Sequence, residues 1–224
     1  MKRSQINMLI EDSARFARSH GFLLPPFAFW SPQEWRSKGP EADEIRDCML
    51  GWDLTDFGSG DFPGTGLIMF TVRNGHLTDA RYTKPYCEKM LITDLKQVTP
   101  THFHWSKTED IINRGGGDLV VQVYNSTPDE DLDDSDVSVS IDGVRRTVEA
   151  GGTVTLTPGE SIHLPHGMYH QFWAEKGRVL LGEVSTVNDD TSDNRFHQAV
   201  GRFPQIEEDE PPRYLLFSEY PPAA

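Results

Sequence analysis

The chain is poor in cysteine and in positive charge, and it has no long apolar run. Its 224 residues include two cysteines, Cys48 and Cys87, too few for the disulfide framework of a secreted scaffold. Two free thiols in a reducing compartment are the simpler reading. Lysine and arginine number 21 against 35 acidic residues, a net charge of -14. A field of that sign repels phosphate backbones and anionic lipid, so neither a nucleic acid nor a membrane is an expected partner. A small neutral polyhydroxylated molecule is not excluded. No segment reaches the roughly 20 apolar residues that cross a bilayer. The opening MKRSQINMLIEDSARF is broken by Glu11, Asp12 and Arg15 and lacks a signal-peptide core, which points to a cytoplasmic protein.

What is there suits one domain, 1–224, built mostly of strands. Apolar and small residues at Ile6, Leu9, Ile10, Ser13, Ala14 and Ala17 predict a helix from about 4 to 19, ended by Gly21. Ser31-Pro32-Gln33-Glu34 is a capping box that opens a second helix running to Gly39-Pro40, so an N-terminal helical segment spans 1–40. Short apolar runs separated by Gly, Pro, Asn and Asp follow. Strands are predicted at 67–72, 89–92, 118–124, 137–141, 144–148, 153–157, 161–164, 168–173 and 178–184, with turns at Arg73-Asn74-Gly75, Asn113–Gly117 and Asp142-Gly143. That spacing means an all-β sandwich or barrel. The acidic run 128–136 departs from the EF-hand pattern and reads as a solvated loop. An extended, proline-containing tail occupies 205–224.

One constellation carries chemistry. His102 and His104 are two apart, so in a strand both imidazoles project from one face. Glu109 follows five residues later, and His170 sits beyond the turns marked by Gly159, Pro165 and Gly167. Three nitrogens and one carboxylate hold a divalent cation with positions left for substrate, as catalytic rather than closed structural sites do. Such mixed donors suit Mn, Fe, Co, Ni or Zn. His163 and His166 miss the spacing and read as structural.

The pattern H-x-H-x4-E-x6-G followed by G-x5-P-x-G-x2-H resembles the two signature motifs of the cupins. It departs from them at Lys96, where glycine is expected, and at Ala174, where asparagine is expected. The resemblance implies a cupin β-barrel, a double-stranded β-helix or jelly roll, with N-terminal helices in front. With Tyr86–Ile92, Gly182–Asp190, Asp193–Phe196 and Arg202–Asp209 included, most of the chain is similar to the D-lyxose isomerase family of cupin sugar isomerases. That resemblance implies a manganese-dependent (Mn2+) ketol-isomerase, a homodimer, that interconverts D-lyxose with D-xylulose and D-mannose with D-fructose through an enediol.

Isomerisation needs a base that reaches carbon and fixed positive charge at the substrate oxygens. Glu207 is the first candidate base and Glu183 the second; a metal-bound Glu109 would be weaker. Lys89 is the candidate for charge stabilisation. Asp190 and Arg202 are candidate hydroxyl binders, and Trp105 is a candidate ring for stacking on the sugar, although Trp30, Trp52, Trp105 and Trp173 read more readily as core or lid residues. Each candidate has a plainer alternative: a surface lysine at Lys89, a solvated acid at Glu207, a simple ion pair at Glu183. Two other functions fit the same ligands, an Fe(II)-dependent cupin dioxygenase and a non-catalytic sugar-binding cupin.

Overall fold

The computed structural model describes residues 1–202 and 204–223. Phe203, in the Arg202–Asp209 motif, and Ala224, in the tail, lie outside the described residues. Helix α1 (Arg3–Ser19) forms where the apolar spacing predicts it and buries Ile6, Ile10, Ser13 and Ala17. The Ser31 capping box also forms, with Ser31 Oγ accepting the Glu34 N–H and the Glu34 carboxylate accepting the Ser31 N–H. The helix it opens, α2 (Pro32–Trp35), is shorter than predicted. Trp35 is drawn inward onto Tyr220, with ring centroids 3.8 Å apart. Arg46 takes the carbonyls of Lys38 and Gly39, which a continuing helix would have used. Arg46 belongs to a third helix, α3 (Asp43–Asp47), so the helical segment expected over 1–40 runs on to Asp47.

Twelve strands follow: β1 (Gly51–Thr55), β2 (Leu67–Arg73), β3 (Tyr86–Thr93), β4 (Val98–Phe103), β5 (Glu109–Ser126), β6 (Leu132–Asp133), β7 (Val137–Ile141), β8 (Val144–Val148), β9 (Thr153–Leu156), β10 (Ser161–Leu164), β11 (Tyr169–Thr186) and β12 (Arg195–Phe196). The main path through the sheet runs β1-β2-β3-β11-β5-β10-β7-β8. β5 and β11 pair antiparallel along their length, Tyr169 opposite Tyr124 at one end and Ser185 opposite Glu109 at the other. Each changes partners midway. β11 lies beside β4 at His170–Trp173 and beside β3 at Val179–Thr186. β5 lies beside β10 in its first residues and beside β9 at Leu119–Gln122. The two long strands therefore pass from one layer to the other and close a jelly-roll barrel of the predicted all-β class.

Two sequence expectations change here. The Asn113–Gly117 turn and the gap between the strands at 168–173 and 178–184 are irregularities inside β5 and β11, where the register shifts between Glu175 and Val179 and again between Leu180 and Leu181. Gly116 has φ +99, and a Cβ on it would lie 2.1 Å from the Arg178 carbonyl oxygen. Glycine there lets the strands stay paired through the bend instead of ending them. Nor is Asn74-Gly75 a tight hairpin turn. The β2–β3 connection runs from 74 to 85, and a Cβ on Gly75 would lie 1.8 Å from the Lys84 carbonyl oxygen. This glycine permits a close backbone crossing, while Asn74 is buried.

Alternation assigns the faces. Leu67, Met69, Leu91, Ile111 and Leu181 join the barrel interior. Ile68, Phe70, Met90, Ile92 and Leu180 pack outward beneath Ile6, Ile10 and Ala17 of α1. Both faces of β2 and β3 are covered, which explains their continuous apolar runs. By the same parity Lys89 projects with Leu91, and Glu183 with Leu181, into the barrel.

The tail docks along α1. The Arg3 N–H donates to the Glu207 carbonyl and the Ser4 N–H to Asp209, so the tail satisfies free donors at the helix N-terminus. Arg3, buried, reaches Glu208 at 2.7 Å and also pairs with Glu219. Asn7 donates to Glu210 and to the Pro211 carbonyl. Cys48 and Cys87 are buried, and burial pushes their thiols up to about 11 and about 12. Among the described residues no helix is long and apolar enough to cross a membrane.

Replacing Arg3 with alanine is expected to lower unfolding free energy by about 1–3 kcal/mol, since it frees two carboxylates from a buried donor; an unchanged denaturation midpoint would contradict this. Both thiols stay protonated well above neutrality, so native protein at mildly alkaline pH should resist iodoacetamide and react only after unfolding, as mass spectrometry would record.

Candidate metal centre and catalytic cavity

The open end of the barrel holds a small cavity. Its apolar wall includes Phe57, Leu67, Met69, Leu91 and Phe172. Its polar side gathers His102, His104, Lys107, Glu109, Lys89, Glu183, Asp190 and Arg202 from segments far apart in sequence. Strand register brings them together. His102 on β4 lies opposite His170 on β11, and Lys89 on β3 lies opposite Glu183 on β11.

The ligand atoms of His102, His104 and His170 lie within 4.8 Å of one another, and all three residues are buried. Each ring turns Nδ1 toward a backbone carbonyl, of Pro100 at 2.8 Å, Asp193 at 2.8 Å and Met168 at 3.0 Å. A proton on Nδ1 leaves Nε2 as the free lone pair, the arrangement that metal-binding histidines adopt. Glu109 Oε1 stands 3.5 Å from His104 Nε2 and 3.2 Å from His170 Nε2. His170 Nε2 is buried without a hydrogen-bond partner. Burial, helped by the neighbouring His170 and His104, lowers His102 well below the usual histidine range, so its ring stays neutral. An orphaned buried nitrogen, a neutral His102 ring and a carboxylate on the same point fit a divalent cation.

Beside this centre stands a buried ionic array. Lys107 Nζ lies 2.7 Å from Glu109 Oε2, 2.9 Å from Glu183 Oε1 and 3.1 Å from Asn188 Oδ1. Lys89 Nζ lies 2.8 Å from Asn188 Oδ1, 3.0 Å from Asp190 and 3.7 Å from Glu183. Arg202 binds Asp53 at 2.6 Å and approaches Asp190 at 3.9 Å. Burial pushes Glu109 upward, but Lys107 and His104 outweigh it and hold the carboxyl well below its usual range. Burial also opposes ionisation of Asp190, and Lys89, Arg202 and Lys107 overcome it. Lys89 and Lys107 stay protonated: burial lowers them, and the surrounding carboxylates raise them further.

Of the residues singled out from sequence, His102, His104, Glu109, His170, Lys89, Glu183, Asp190 and Arg202 converge here. Two do not. Glu207 is exposed and lies outside the cavity wall, its backbone pairing with Met1 and Arg3. Its acidic cluster is held by the N-terminus of α1, not by the barrel. Trp105 is 45 % exposed, donates to Glu130 at 2.7 Å, and does not line the cavity. Trp30, Trp52 and Trp173 do not line it either, and the nearest ring to the histidines is Phe196, stacked on His102 at 5.3 Å. Lys107 and Asn188 were missed. Lys107 precedes Glu109 by two, a parity signal, but the residues between β4 and β5 carry no strand pattern to make that parity legible.

A jelly-roll barrel with a three-histidine, one-carboxylate centre at its open end defines a cupin with an enzyme-like cavity. Comparison with known proteins narrows this. A model of the D-lyxose isomerase family matches residues 1–220. The chain is 49% identical over 223 residues to a D-lyxose/D-mannose isomerase of Escherichia coli O157:H7, covering 98% of each chain. It is 48% identical to one of Serratia proteamaculans, again covering 98% of each. Among solved structures, an L-ribose isomerase of Cellulomonas parahominis without ligand superposes with a TM-score of 0.61 at 15% identity, over 92% of this chain and 98% of that one. A mutant L-ribose isomerase of Acinetobacter sp. DL28 in complex with L-ribose gives 0.61 at 14% identity, over 92% and 98%. At those identities the likeness shows the shared fold. The chain belongs to the D-lyxose isomerase family and is a sugar isomerase.

Substituting His170 with alanine removes one of the converging nitrogens and should reduce bound divalent metal at least tenfold, as elemental analysis of the purified protein would show. Full metal occupancy in that variant would mean the donor set is wrong.

Proposed function

We propose that the chain is a metal-dependent aldose–ketose isomerase that interconverts D-lyxose with D-xylulose and, more slowly, D-mannose with D-fructose through an enediol. Support comes from family membership together with one observation: the Glu183 carboxylate, held 2.9 Å from Lys107, shares a cavity with the His102 and His104 imidazoles. We take Mn2+ as the resident ion, held by His102, His104, Glu109 and His170, the chain acting as a cytoplasmic homodimer. When bound, the ion would polarise the substrate carbonyl and the neighbouring hydroxyl.

The chain's own residues do the rest. Glu183 is the base: it takes the proton from one of the two reacting carbons and returns it to the other, while the hydroxyl proton passes from one of the two neighbouring substrate oxygens to the other. Lys107 donates to the Glu183 carboxylate and fixes its position. Lys107 and Lys89, both protonated in a dry pocket, stabilise negative charge as it develops on the substrate oxygens. Asp190 and Arg202 sit where hydroxyls further along the sugar arrive, and Phe57, Leu67 and Met69 exclude water on the opposite wall. Glu207, proposed from sequence as the base, has no part in this mechanism.

Replacing Glu183 with glutamine should lower kcat by three orders of magnitude or so while metal content stays intact, whereas Glu207→Gln should keep near-normal turnover. The reverse pattern would restore Glu207 as the base. An enediol route should also release tritium from C2 of the aldose into water, and the reaction should proceed under nitrogen. Complete retention of label would favour hydride transfer, and an oxygen requirement would favour a dioxygenase.

A further inference from the structure

The array contains one residue that carries no charge and does not line the cavity, yet touches both lysines. Asn188 Oδ1 accepts from Lys89 Nζ at 2.8 Å and from Lys107 Nζ at 3.1 Å. An ammonium has no acceptor, so the amide must present its oxygen to both. Lys107 has three N–H bonds and three acceptors, Glu109, Glu183 and Asn188, and Asn188 is the neutral one. Without it one donor of a buried ammonium is left unpaired, free to pull the lysine toward either carboxylate.

Asn188 is itself held from behind. Its N–H donates to Asn74 Oδ1 at 3.0 Å, and its carbonyl accepts from Asn74 Nδ2 at 2.9 Å. Asn74 Nδ2 also donates to the Cys48 carbonyl at 3.3 Å, which ties the pair to the end of α3. Asn74, Asn188, Lys89 and Lys107 are all nearly inaccessible to solvent. The Asn-Gly step that reads as a turn in the sequence is therefore used differently. Gly75 lets the backbone pass close to Lys84, and Asn74 clamps the main chain at 188.

We infer that Asn188, clamped by Asn74, is a positioning residue of the isomerase reaction: it fixes the two lysine ammoniums relative to Glu183 and so sets the geometry of proton transfer. This rests on the isomerase reading above. A shift of an ångström in a catalytic group costs up to about a hundredfold in rate.

The experiment compares Asn188→Ala, Asn188→Asp, Asn74→Ala and the double alanine variant, each Mn2+-loaded, using D-lyxose as substrate. Asn188→Asp keeps an oxygen where both lysines need one. The expected result is a kcat fall of about ten- to a hundredfold in Asn188→Ala with KM changed by less than threefold and metal content unaltered. Asn188→Asp should recover most of that loss. Asn74→Ala should lose less than Asn188→Ala, and the double variant no more than Asn188→Ala alone, because Asn74 acts through Asn188. Retention of kcat within twofold in soluble, metal-loaded Asn188→Ala overturns the inference, as does an aspartate variant no better than alanine. If Asn188→Ala fails to fold, the Asn74→Ala and Asn188→Asp arms decide: full kcat in the former, or a kcat fall of about tenfold or more in the latter, overturns it. A wild-type chain with no isomerase activity removes the functional reading and this inference with it; an active wild type indifferent to the substitutions removes this inference alone.

Discussion

The pairing of β11 with its neighbours is the constraint on which the site depends. One strand lies against β3, β4 and β5, and each contact aligns a different part of the centre. His170 falls opposite His102, Glu183 opposite Lys89, and Ser185 opposite Glu109. A slip of one residue would turn every one of those side chains to the opposite face. Register is pinned on both sides by burial, because Leu180 packs toward α1 while Leu181 packs into the barrel. The same apolar alternation that builds the core thus sets the distances among the ionisable groups.

Those groups make sense only as an array. Taken singly, a lysine, a glutamate or an aspartate at this depth is costly, since burial opposes ionisation of each. Together Lys89, Lys107, Glu109 and Asp190 hold one another charged: Lys107 lies between Glu109 and Glu183, and Lys89 between Asp190 and Asn188, while Arg202 bridges Asp53 and Asp190. The result is a pocket with fixed dipoles and charges already aimed before any substrate enters, which is the form of stabilisation that costs no reorganisation during reaction. Truncating one member leaves its partners buried and unpaired, so the effects of single substitutions in this array should not add.

Much of this was legible in the sequence because it follows short-range rules. His102 and His104 converge as their two-residue spacing suggests, although His104 lies one residue past β4, α1 declares itself by three- and four-residue spacing, and the Ser31 box caps the helix it precedes. What escaped depends on distant partners. Where Glu207 lies is hidden because nothing in its local sequence reveals that the free N–H groups of α1, some two hundred residues earlier, take up its segment. Lys107 lies between two strands, where alternation gives no guidance. The bends at Gly116 and near Gly177 read as ends of strands, since a glycine that breaks a strand and one that lets it cross between layers look alike until the opposing backbone is known.

The clasp between tail and first helix has a bearing on how the chain is made. A ribosome releases α1 well before its neighbours, with Ile6 and Ile10 seeking apolar cover, but the sheet face that supplies it is not finished until β11, and the carboxylates that hold Arg3 arrive only with Glu208 and Glu219. Vectorial synthesis therefore leaves the helix without its permanent neighbours for nearly the whole of elongation. Closing so long a loop is slow but entropically only modestly more expensive than closing a short one. The nascent helix is thus open to wrong partners for a long interval, and residues made some two hundred positions later lock it in place.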